Sequence, residues 1–141
     1  MAVVLIAGAD EDTRRVLETM FTGHGLIVLT VPDGAAALQE ANRRLPDLMI
    51  TAMDMPGMDG LHLCRAVRMH PRLRKVPVVL LSGSLRVDDP RVRTAQVCAV
   101  LTGPADGVEL MDAVEILLHR GGHAHGVLTS ACAERAVPAP V

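Results

Sequence analysis

Pro46-Asp47-Leu48-Met49-Ile50-Thr51-Ala52-Met53-Asp54-Met55-Pro56-Gly57-Met58-Asp59-Gly60 is the stretch whose reading decides the fold. Leu48 to Ala52 carries no charge and reads as a buried strand. Pro56, Gly57 and Gly60 are chain breakers in close succession, which marks a tight, methionine-lined turn. A helix is expected to start directly after it.

Working outward, the same kind of apolar run recurs. Val3 to Ala7 is rich in β-branched residues and reads as a central parallel strand. Leu26 to Val31 is a second strand, Val76 to Leu81 a fourth, and Cys98 to Leu101 a shorter fifth. Helical patterns lie between them. Asp10 or Asp12 can cap the first, in which Val16, Leu17, Met20 and Phe21 share one face while Arg14, Arg15 and Glu18 face water. Gly23 and Gly25 end it. Pro32-Asp33-Gly34 is a turn, followed by a helix over Ala35–Leu45 with Leu38, Ala41 and Leu45 inward. Leu61, Cys64 and Val67 define a third helix that ends near His70-Pro71. Asp88-Asp89-Pro90 opens a short fourth helix. The fifth runs from Val108 to His119, with Leu110, Met111, Val114, Leu117 and Leu118 apolar. Strict alternation of strand and helix predicts a five-stranded parallel sheet with helices on both faces, an α/β fold. The pattern stops at Gly121, so residues 1–120 are expected to form the domain and 121–141 a flexible tail.

Composition narrows the class. The chain has 141 residues, half of them apolar, yet Phe21 is its one aromatic residue. The core must therefore be aliphatic. The net charge of −2 gives no global argument for nucleic acid. No uncharged apolar run reaches the roughly 18 residues that a membrane span needs. Met1 to Ala9 lacks the basic start of a signal peptide. Cys64, Cys98 and Cys132 are widely spaced and odd in number, which suits a cytoplasmic protein with reduced, buried thiols.

The quoted stretch resembles the signature of receiver domains of two-component response regulators, in which a strand of the form PDLxxxD is followed by xxMPxMDG. Met55-Pro56 and Gly57-Met58-Asp59-Gly60 match the second half. The resemblance covers about Val3 to Arg120 and implies a flavodoxin-like (βα)5 fold with strand order 2-1-3-4-5. It departs where the chemistry should lie. The phosphate-accepting aspartate of the family falls on Ala52, and a methyl group cannot attack phosphorus. The acidic pair that helps hold Mg²⁺ falls on Gly8 and Ala9, with Asp10 one position later. The hydroxyl after strand four is kept as Ser82. The aromatic switch position is Val100, and the lysine before Pro104 is Gly103.

These departures agree with one another and imply a pseudo-receiver: a non-enzymatic signalling module that works through protein contacts, with no metal and no cofactor. Its partner would be a histidine kinase, another regulator or an output domain beyond this chain. In receivers the face of helix four, strand five and helix five serves dimerisation or output, and Arg86, Arg91, Arg93 and Val100 fall on or beside it. Two alternatives stand beside this reading. One is a phospho-accepting, Mg²⁺-dependent regulator that uses Asp54 with Asp10 in a rearranged pocket. The other is a sensor of a small molecule held in the space left by Gly8, Ala9, Ala52 and Gly103.

Other residues have bland readings that outweigh sharp ones. His24, His62 and His70 read as solvated or capping, and His119, His123 and His125 lack the further ligands of a zinc site. Ser82 has no general base near it in sequence, so a turn hydrogen bond is the simpler role. Arg65, Arg68, Arg72, Arg74 and Lys75 form a basic stretch, read first as a solvated face and second as a docking patch.

Overall fold

The five apolar runs pair as expected in the computed structural model, which describes residues 1–86, 88–101 and 107–120. The strands are β1 (Val3–Ala7), β2 (Ile27–Val31), β3 (Leu48–Ala52), β4 (Val78–Leu81) and β5 (Ala99–Leu101). All neighbours are parallel, in the order β2-β1-β3-β4-β5. The helices are α1 (Glu11–Gly23), α2 (Gly34–Arg44), α3 (Gly60–Met69), α4 (Pro90–Ala95) and α5 (Gly107–Arg120). No helix among the described residues is long and apolar enough to cross a membrane. Residues 102–106, with Gly103 and Pro104, and the expected tail at 121–141, with His123, His125 and Cys132, lie outside the described residues.

The sheet is buried on both sides because its side chains alternate between two cores. Val4, Ile6, Leu48, Ile50 and Val79 point to one side, where Leu17 and Phe21 of α1 and Leu110, Val114 and Leu117 of α5 cover them. Leu5, Ala7, Met49, Val78 and Leu80 point to the other, against Ala37 and Ala41 of α2, Leu63, Cys64 and Val67 of α3, and Val92 and Ala95 of α4. Phe21 is fully buried, and aliphatic side chains make up nearly all of the remainder.

Helix starts are chemically uniform. Asp10, Asp33, Asp59 and Asp89 are the N-caps of α1 to α4, and each side chain accepts a backbone N–H of the first turn. Between the two candidates for α1, the cap is Asp10. The turn after β3 is closed by Gly60, whose N–H donates to the Met53 carbonyl at 2.8 Å. A methyl group at Gly60 would lie 2.5 Å from both the Ala52 carbonyl oxygen and Leu80 Cδ1, so only glycine fits where α3 meets the end of β3.

Four expectations need correction. Val16 is 59% exposed, because α1 buries the narrower stripe of Leu17 and Phe21. Leu45 does not turn inward: it caps α2 in the left-handed region with φ 47° and stays 44% exposed. Arg68 is not part of a solvated face. Its guanidinium donates to the carbonyls of Gln96, Arg74 and Val76 at 2.6–3.1 Å, and contacts Cys98 Sγ at 3.6 Å. Burial depresses its pKa, and no carboxylate among the described residues bonds it. Finally, Cys64 is a free, fully buried thiol, but Cys98 is disulfide-bonded and is not one of the expected reduced thiols.

Candidate functional site

Parallel α/β sheets open a crevice outside the carboxyl ends of their strands. Here β1, β3 and β4 end level with one another: Ala7 pairs with Thr51, and Ala52 with Leu81. The cleft above them has a volume of about 280 Å³. Ala52 and Gly8 lie on its floor, with Ile6, Ala7, Leu17 and Leu81 supplying apolar wall. Ala9, Asp10, Asp54 and Ser82 complete the lining. The sequence-predicted positions Gly8, Ala9, Asp10, Ala52, Asp54 and Ser82 are thus brought together in one place. Gly103 lies outside the described residues.

The polar groups of the cleft have defined occupations. Asp10 accepts a hydrogen bond from the Thr13 hydroxyl at 2.5 Å and from the Asp12 N–H at 3.2 Å. The Thr13 bond first, and the Asp12 bond next, hold its carboxyl below the usual aspartate value, although it is exposed. Asp54 is exposed on the turn after β3, with no hydrogen bond among the described residues. Ser82 is buried at the end of β4, and its Oγ accepts the N–H groups of Ser84 at 3.3 Å and Leu85 at 3.0 Å. This is the turn role expected for it. Thr51, fully buried beneath the floor, donates its hydroxyl to the Ala52 carbonyl at 2.9 Å.

Sequence reasoning missed Arg14. It was assigned to water, but it is half-buried, lines the cleft and donates through Nη1 to the Gly8 carbonyl. The available signal was its spacing: four residues after the Asp10 cap, it shares the helix face that looks at the ends of the strands. A positive group therefore lies over the floor at the position flanked by Gly8 and Ala52. Gly8 itself has room for a side chain, since a Cβ there would meet Ala52 Cβ at 3.7 Å and Arg14 Cγ at 3.9 Å, ordinary contacts.

The expected interaction face is divided. Val100 on β5 is half-buried against the α2–α3–α4 side. Arg86 pairs with Asp88 at 3.3 Å, and Arg91 with Asp89 at 3.1 Å. The Asp89 carboxylate raises the Arg91 pKa, and its own is lowered in return. Arg93 is exposed in the last turn of α4. The histidines behave as caps where they are ordered by a partner: His62 Nδ1 lies 2.8 Å from Asp59, and His70 Nδ1 accepts the Arg72 N–H at 3.1 Å. For Asp59, burial pulls the pKa up, but the hydrogen bonds from His62 outweigh it and the carboxyl sits low. Among the described residues, no group of three or more His, Cys, Asp or Glu is placed to hold a metal ion.

Comparison with known proteins accounts for this geometry. The family model of the response regulator receiver domain matches residues 4–115. Response regulator PleD of Caulobacter vibrioides is 36% identical over 117 residues, which is 82% of this chain but 26% of PleD. The chain thus spans about a quarter of that relative's length. An uncharacterized 14.6 kDa protein of Leptolyngbya boryana is 33% identical over 79% of this chain and 86% of its own length. Among solved structures, the signal receiver domain of a signal transduction histidine kinase from Syntrophus aciditrophicus superposes with a TM-score of 0.78 at 30% identity, covering 85% of this chain and 92% of that one. With strand order, cleft and MPGMDG turn in agreement with these matches, the chain belongs to the response regulator receiver domain family.

Proposed function

We propose that this receiver domain transmits signals by protein contact, without accepting a phosphoryl group, and is therefore a pseudo-receiver and not an enzyme. The observation that carries the reading is the floor of the cleft: Ala52 ends β3 where the family's acceptor resides, flanked by Gly8 and Ala9. A methyl group offers no oxygen to phosphorus. The donor set also does not fit the Mg²⁺ that the family implies. Mg²⁺ takes hard oxygen ligands, with one or two carboxylates usual. Here Asp10 already serves two hydrogen-bond donors of its own helix, and the Arg14 guanidinium faces the same space. No cofactor is assigned. A phosphoryl group works by adding close to two negative charges to such a cleft. Without that input, the two-state balance is shifted only by a partner's difference in affinity for the states. The partner is a histidine kinase, a second regulator or an output domain.

One observation favours a second reading. Asp54 and Asp10 line the same cleft, and the Asp54 carboxylate has no hydrogen bond among the described residues. A rearranged acceptor at Asp54 would make the domain a Mg²⁺-dependent switch. Incubation with acetyl phosphate and Mg²⁺, read by intact mass, separates the two. An unchanged mass is expected. A gain of one phosphoryl group that disappears in Asp54→Asn would overturn the proposal.

A further inference from the structure

The end of the molecule remote from the cleft, where α2 and α3 run out, has a different character. Residues 40–47 and 68–76 hold six Lys and Arg against Glu40 and Asp47, in a chain whose net charge is −2. Arg68 is internal and Arg44 pairs with Glu40 at 3.6 Å, but Arg43, Arg72 and Lys75 are exposed. Arg72 donates to the Asn42 side chain at 3.4 Å, which ties the exit of α3 to the last turn of α2. Two of the large exposed apolar residues lie here, Met69 at 84% and Leu45 at 44% exposure. Beside them a depression of about 410 Å³ is lined in part by Pro46, Lys75 and Pro77.

Leu45 is the telling residue. It holds a left-handed backbone, φ 47°, at a helix end where glycine or asparagine would be more stable. Its side chain gains little burial in return. A leucine that is both strained and exposed is accounted for if something covers it. The surrounding charge names the chemistry of that cover. We propose that the α2–α3 exit surface docks an acidic protein segment whose apolar side chains sit on Leu45 and Met69 while its carboxylates meet Arg43, Arg72 and Lys75. Methionine and arginine are enriched in protein interfaces, and an exposed methionine adapts to an apolar anchor. The surface lies apart from Arg86 and Arg91, whose charges are already paired with Asp88 and Asp89.

The inference builds on the protein-contact reading of the domain, but its test is independent of phosphorylation. A fluorescein-labelled synthetic peptide, with leucines at helical i, i+3, i+4 spacing and glutamates elsewhere, is titrated with the full chain and followed by anisotropy. A DNA duplex and phosphatidylserine–phosphatidylcholine vesicles serve as competing polyanions. Saturable, salt-sensitive peptide binding is expected. Leu45→Gly should weaken it about tenfold, from the lost apolar contact, while raising the melting temperature, because glycine suits the left-handed position. The double variant Arg43→Glu/Arg72→Glu should weaken it by about as much and flatten its salt dependence. The proposal is overturned if the parent chain does not bind the peptide, if both variants bind it unchanged, or if only DNA or vesicles bind. Uptake of phosphoryl at Asp54 with intact peptide binding would remove the pseudo-receiver reading and leave this surface standing.

Discussion

Replacing Arg68 with methionine tests the least expected feature of the fold. The guanidinium bonds three carbonyls that have left-handed or turn geometry around them: Gln96 at 2.9 and 3.1 Å, Val76 at 2.6 Å and Arg74 at 3.1 Å. Gln96 is the left-handed C-cap of α4, so one side chain of α3 fastens the end of α4 and the approach to β4 at once. Hydrogen bonds to a charged group contribute roughly 1.5–3 kcal/mol each, and carbonyls deprived of a buried donor cost roughly 1 kcal/mol or more. Against this, methionine removes a cation whose burial is unfavourable, as its depressed pKa records. The net loss is about 2–3 kcal/mol, equivalent to a fall in melting temperature of roughly 8–12 °C for a domain of this size. With no Trp or Tyr in the chain, urea unfolding followed by far-UV circular dichroism is the suitable assay. Arg68→Lys, which keeps the charge but not the planar fork, should lose about half as much. A methionine variant within about 0.5 kcal/mol of the parent would refute the assignment of Arg68 as a carbonyl-satisfying bolt.

Three further outcomes follow from the same structure. Burial pushes the Cys64 thiol up to about 11 from an ordinary value of 9.0. The unfolded chain therefore loses this proton first, and stability present below pH 9 should fall by about 2 kcal/mol as pH rises toward 11; Cys64→Ala should abolish that part of the decline in alkaline urea titrations. Gly60→Ala should destabilise by about 3 kcal/mol, since the new methyl group meets the Ala52 carbonyl and Leu80 at 2.5 Å; chemical denaturation measures this, and a neutral result would contradict the close approach of α3 to β3. The triple variant Gly8→Asp/Ala9→Asp/Ala52→Asp should fold, because Gly8 has space for a Cβ, and should gain Mg²⁺ binding in calorimetry where the parent gives no heat. A folded triple variant that ignores Mg²⁺ would mean that missing carboxylates are not what sets this cleft apart.

The fold was legible because its signals are local and repeated. Uncharged runs mark the strands, and Asp10 and Asp89 mark two of the helix starts at the positions the backbone requires. The cleft was legible through register: the count back from Pro56 lands on Ala52, and the ladder sets Ala52 opposite Leu81 at the sheet's carboxyl edge. The misses depend on tertiary detail. Arg14 and Arg68 look alike in sequence, as basic residues on amphipathic helices. Yet one turns into a cleft and the other into a nest of carbonyls; the spacing of Arg14 from the Asp10 cap hints at the first, while the partners of Arg68 lie 6 to 28 residues away in sequence. Leu45 was misread for a different reason: helical spacing was extended one residue past the point where the backbone reverses its handedness.

The aspartate caps have a consequence for how the molecule meets ions. Each of the four carboxylates is engaged by an amide of its own first turn, and of the four only Asp10 lines the cleft, beside Arg14. Carboxylates spread and engaged in this way gather a diffuse counterion cloud and grip no individual ion. Sodium and magnesium salts matched for ionic strength should then act on thermal stability to the same extent, a screening response in place of a saturable one.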